Sequence, residues 1–129
     1  MKQLLTGIAL ISLPAAAAAA APIEGKWQNP KDSVIVKVTP CGAGTYCGKV
    51  SWASPKAKRK ADGRMQVGTQ ILTGLRSDGH GGYTGRAYVP RHRVHATATV
   101  RHAGRDALIV KGCSLGGLLC KSERWTRVD

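Results

Sequence analysis

Hydrophobic and polar positions alternate with a period of two along most of this chain. In SVIVKVT (33–39), Val34, Val36 and Val38 share one face. In YCGKVSWA (46–53), Gly48, Val50 and Trp52 fall on one side and Lys49 and Ser51 on the other. RVHATATVRH (93–102) sets Val94, Ala96, Ala98 and Val100 against His95, Thr97, Thr99 and Arg101. Such alternation predicts half-buried β-strands. Further strands are expected near 71–76 and 83–89, over 106–112 and over 120–128, and GKW (25–27) opens the first. No window of a dozen residues shows apolar positions at helical spacing.

Turn residues separate these runs. CGAGTYC, SDGHGG, HAGRD and CSLGGLLC each place glycine or an Asp-Gly or Gly-Gly step between two strands, where positive φ is tolerated. About eight short strands joined as sequence neighbours predict an all-β fold. An antiparallel up-and-down barrel suits them best, because closure removes exposed edges, with a two-sheet sandwich as the alternative.

One segment departs from the alternation. SPKAKRKADGRM (54–65) carries Lys56, Lys58, Arg59, Lys60 and Arg64 against Asp62 alone and reads as a long exposed loop. It is either a solvated surface or an anion-binding site. The whole chain is strongly basic, with a formal charge of +13, which favours anionic partners such as acidic envelope polymers or membrane surfaces. Sequence-specific nucleic-acid binding is not expected, because the few aromatic residues form no stacking platform.

The first residues, MKQLLTGIALISLPAAAAAAAP, show one lysine, an apolar run and a small-residue end. That is the layout of a secretory signal peptide, and the run before Pro14 is short for a membrane span. Residues 1–21 are read as a leader and 22–129 as one domain, in a periplasmic or secreted protein. Four cysteines in an exported chain are expected to be oxidised. Three connectivities exist, and the local pairs Cys41–Cys47 and Cys113–Cys120 are favoured because each flanks a turn between strands. A zinc site fits the spacings poorly.

The two ends carry a resemblance. GKW at the start and RWTRVD at the close are similar to the lipocalin pattern. In that pattern a tryptophan on the barrel floor is covered by an arginine of the last strand, a cation–π contact. Together with YCGKV, GLRSDG, YTGRAY and GCSLGGLLCKSERWTRVD, the order of motifs resembles a bacterial family of small exported proteins with a lipocalin-like barrel, catalogued as a domain of unknown function. The resemblance implies the barrel and export, and implies a floor pair of Trp27 with either Arg124 or Arg127.

Catalytic chemistry is not legible. There is no Gly-x-Ser-x-Gly elbow and no pair of carboxylates at meaningful spacing. Asp32, Asp62, Asp78 and Asp106 all stand in turn-like contexts. His92 and His95 point to opposite faces of a strand, as do His95 and His102, so they do not converge on a metal. No cofactor is expected, and the protein is read as a non-enzyme.

What remains is space. Gly48, Gly85, Ala87, Ala96 and Ala98 are small residues expected on the inner face, and the chain has no phenylalanine to fill a barrel. Either the tryptophans plug the interior, the barrel flattens, or a small apolar or amphipathic ligand enters. The stapled SLGGLL loop bears on the choice. Leu115, Leu118 and Leu119 either fold onto the core or rim a ligand entrance.

Overall fold

The computed structural model describes residues 22–128, apart from the side chain of Leu115. The expected leader, residues 1–21, lies outside the described residues. Eight strands follow one another: β1 (Gly25–Gln28), β2 (Val34–Gly42), β3 (Thr45–Ala53), β4 (Gln70–Ser77), β5 (Gly82–Val89), β6 (Val94–His102), β7 (Ala107–Ser114) and β8 (Leu119–Arg127). One short helix, α1 (Pro55–Lys60), interrupts them. Each strand pairs antiparallel with its sequence neighbour, and β8 returns to β1 to close a barrel. The sandwich is thereby excluded.

The strand directions alternate, so the connections divide between two ends. The floor holds the tight turns at 43–44, 78–81 and 103–106, together with residues 22–24 and 128. The open end holds the longer segments 29–33, 54–69, 90–93 and 115–118. Floor turns are fixed locally. The Asp78 carboxylate accepts backbone hydrogen bonds from His80 (2.7 Å) and Gly82 (3.0 Å), which holds that carboxyl below its usual range.

The inner face follows the alternation wherever the ladder is regular. Val34, Val36 and Val38 are buried, as are Ala96, Ala98 and Val100. Bulges shift it elsewhere, and those on β3 and β4 decide where large side chains go. Ile35 pairs with Trp52 but Val36 pairs with Val50, so Ser51 has no partner on β2. The bulge reverses the parity beyond it. Trp52, expected inside with Val50, is 43% exposed on the outer wall, and Ala53 takes the inner position. On β4, Gly74 and Leu75 together oppose Gly85. Gly74 adopts φ 60°, the left-handed geometry that glycine supplies cheaply. Leu75 is thereby driven fully into the core against Gly85, where a Cβ would meet the Thr73 carbonyl at 2.6 Å.

The lower barrel is filled with side chains. Ile23, Trp27, Leu72, Leu75, Val100 and Leu108 are buried to 1% or less exposure, and Trp125 packs beside them. Each such side chain contributes about 1.5–3 kcal/mol by leaving water. Trp27 satisfies its indole N–H by donating to the Ile23 carbonyl at 2.9 Å.

Candidate functional site

The 54–65 segment corrects the expectation of a loop. Ser54 caps α1 by accepting from the Ala57 N–H at 3.0 Å, and Pro55 occupies the first turn, where its missing N–H costs nothing. Six residues are too few for helical periodicity to register. Just past the helix, Ala61 is 1% exposed, and Ala57 and Met65 pack against the core. The segment thus lies partly over the open end. Its cations point to water: no residue of α1 is buried, and Lys58, Arg59 and Lys60 sit in its last turn, favourable to the helix dipole.

Other open-end segments add charge of the same sign. Lys31 lies between β1 and β2, and Arg91 and Arg93 between β5 and β6. The segments meet. Arg64 Nε donates to the Pro90 carbonyl at 3.0 Å, tying the chain after α1 to the β5–β6 turn. The Lys60 ammonium feels its neighbours: Lys56 first, then Arg91, with smaller effects of desolvation and Lys31, lower its pKa.

Both disulfides are formed, Cys41–Cys47 on the floor side and Cys113–Cys120 at the open end. Cys113 and Cys120 are direct cross-strand partners of β7 and β8. Between them runs a tight turn in which Gly116 (φ 66°) and Gly117 (φ 93°) take left-handed geometry. Leu118 and Leu119 do not fold onto the core: they are 83% and 60% exposed. The Leu115 side chain lies outside the described residues.

The inner wall changes character towards this end. At mid-height Ala98 and Val100 are fully buried. Above them Ala96, Ala87 and Gly112 share the inner face, and higher still Val89 and Val94 pair across β5 and β6 at 37% and 42% exposure. Lys121 stands opposite Gly112 on β8, and Leu119 opposite Ser114. The mouth is therefore small-residue wall below an apolar rim, with Lys121 on the inner face of β8 and, one inner position below it, Glu123, which accepts from the Trp125 indole N–H at 3.0 Å.

Two clefts lie on the outer wall. One, of about 370 Å³, is lined by Arg86, His95, Thr97, Cys113 and the turn glycines. The other, of about 290 Å³, lies between Ile71, Thr73, Tyr88 and His95. They meet at His95, whose ring is 4.9 Å from that of Tyr88. The alternation places these residues outside, but it gives no sign of a cleft between them.

At the floor, Arg127 lies over the Trp27 ring, its guanidinium carbon 4.2 Å from the centroid. Its Nη atoms donate to the Glu24 and Pro22 carbonyls at 2.9 and 3.1 Å. Arg124 faces the outer wall beside Ile109. Among the described residues no three metal-ligating side chains come together, and no helix is long and apolar enough to cross a membrane.

An eight-stranded meander closed on itself, with a tryptophan and an arginine stacked at its floor, is a lipocalin-like barrel. Residues 25–127 match a family described as an uncharacterized protein conserved in bacteria (DUF2147), and the chain belongs to that family. Among solved structures it is similar to protein HP1028 from the human pathogen Helicobacter pylori, which is described as belonging to the lipocalin family. The TM-score is 0.67 at 16% identity, over 85% of each chain. No curated protein matches the sequence.

Proposed function

We infer that this is an exported, non-catalytic binding protein that takes a small amphipathic molecule at the mouth of its barrel. The grading of the inner wall carries the reading. Exposure rises from nothing at Ala98 to 37–60% at Val89, Val94 and Leu119, across a band of alanine and glycine. Filled below and thin-walled above, the barrel offers a shallow apolar seat, and Lys121, one inner position nearer the rim than Glu123, offers a counter-charge for an anionic head group. The leader-like N-terminus and two oxidised hairpins support a periplasmic or secreted location. The neighbour's lipocalin family membership supports the ligand-binding role by analogy of fold.

Titration with a fluorescent fatty acid tests it, and saturable one-to-one binding is expected. A Cβ at Gly112 would meet Ala96 at 3.8 Å, an ordinary contact, so Gly112→Val should fold while filling the seat. Binding should then weaken by about tenfold or more, as for other single-group changes in apolar pockets. A well-folded protein with no saturable uptake would sink the reading.

A further inference from the structure

The stapled leucines and the basic segment are far apart in sequence, yet both fall on the open end. Leu118 and Leu119 project from the β7–β8 turn, and Val89 and Val94 stand at the foot of the β5–β6 turn. Val67, in the segment leading into β4, is 65% exposed. Exposed aliphatic side chains gathered at one end of a small domain mark an interaction surface. The five cations of the 54–69 segment are joined there by Lys31, Arg91 and Arg93, with Asp32 and Asp62 as the acids of these segments. The floor is balanced instead: Glu24, Asp78 and Asp106 stand there with Arg101, Arg105 and Arg127, and Asp78 and Asp106 pair with Arg101 and Arg127 at 4.0 and 3.7 Å. Cations are therefore in clear excess over acids at the open end.

We propose that the open end docks on an anionic lipid bilayer, with Leu118 and Leu119 entering the boundary between head groups and acyl chains and the surrounding cations resting on lipid phosphates. The chemistry selects this occupant. A soluble polyanion would engage the cations and leave Leu118 in water, whereas a bilayer with anionic head groups receives both at the depths at which they stand. The disulfide and the glycine turn fix the leucines beforehand, which lowers the cost of ordering them on contact. The charge-balanced floor turns away from the same surface. This docking does not depend on whether the mouth holds a ligand.

Vesicle co-sedimentation tests the inference. The protein should pellet with phosphatidylglycerol vesicles and stay in solution with phosphatidylcholine vesicles. Trp52, at the upper end of β3 and half exposed, should shift its emission to the blue on docking. Leu118→Asp, and separately Lys58→Glu with Arg59→Glu, should each reduce partition by about tenfold, with unchanged thermal unfolding. Lys111→Glu with Arg124→Glu removes the same charge from the barrel wall and should change partition by no more than about twofold. No pelleting, equal pelleting with both lipids, a Leu118→Asp variant that binds normally, or a wall variant as defective as the end variants would each overturn the proposal. Retention on heparin without vesicle binding would assign the cations to a polymer and overturn it as well.

Discussion

Arg127 is held over Trp27 by the ring face at 4.2 Å, by the carbonyls of Glu24 and Pro22, and by the Asp106 carboxylate 3.7 Å from its Nε. Trp27 and Arg127 are also cross-strand partners in the seam between β1 and β8. The pair therefore closes the floor and the barrel wall together. Arg127→Ala should cost about 1–3 kcal/mol, from two charge-assisted hydrogen bonds and the cation–π contact, with a small share from the exposed Asp106 ion pair. Trp27→Ala should cost about 3–5 kcal/mol. Arg124→Ala, on the outer wall, should stay within about 0.5 kcal/mol. Urea unfolding of the three variants gives the comparison.

Gly85 and Gly112 should respond in opposite ways to the same methyl group. At Gly85 a Cβ meets the Thr73 carbonyl oxygen at 2.6 Å and Leu75 at 2.9 Å, and backbone cannot give way cheaply. Gly85→Ala should destabilise by about 1–3 kcal/mol through overpacking. Gly112→Ala should be neutral or slightly stabilising, since the nearest atom lies at 3.8 Å. Thermal unfolding of the two variants distinguishes them.

His102 makes stability depend on pH. It stands opposite Leu108, on the inner face near the floor, with a buried Nδ1 that has no hydrogen-bond partner among the described residues. Burial lowers its pKa, and the Arg127 charge lowers it further. The unfolded chain therefore takes up this proton first as pH falls. Stability is fully present above about pH 6.5, the ordinary histidine value, and declines below it until the folded state is protonated too. Asp78, whose pKa is lowered, acts only below the usual aspartate range, near pH 4. Urea midpoints at pH 7.5 and pH 5 should differ less in His102→Leu than in the native protein. An equal difference would remove His102 as the cause.

Each disulfide closes a short loop, with sequence separations of 6 and 7. Reduction of either should cost about 2 kcal/mol on chain entropy. The two should differ in what moves. Replacing Cys113 and Cys120 by serine should speed hydrogen exchange in 114–119 and leave the floor turns unchanged. Replacing Cys41 and Cys47 should loosen only the β2–β3 turn.

Much of the wall is legible in the sequence because burial on one face writes a period of two into β2 and β6. The hairpin disulfides follow from the strands that flank them and their turn glycines. Trp52 departs from the alternation because a bulge at Ser51 changes parity without any turn residue to announce it. The helix leaves little trace in the sequence because six residues complete less than two turns, and the Ser54–Pro55 step is its one local signal. The distribution between the two ends is not a local property. It emerges only when the strands alternate in direction, which brings Lys31, Lys58, Arg91 and Leu118, from four separate segments, onto one end.

The seam between β1 and β8 has a kinetic consequence. Every other strand pairing joins sequence neighbours, whereas this one joins Trp27 to Arg127 and Gln28 to Thr126 across nearly the whole described chain. Seven hairpin pairings can form locally before the ring shuts, and the last must overcome the closure entropy of about a hundred residues unless the curling wall has already brought its edges together. With so short a ladder, the seam is also where the ring should part first under native conditions. The amides of β1 would then exchange with solvent ahead of those in β5 and β6, and the barrel would breathe as a curled ribbon whose two edges come briefly unstitched.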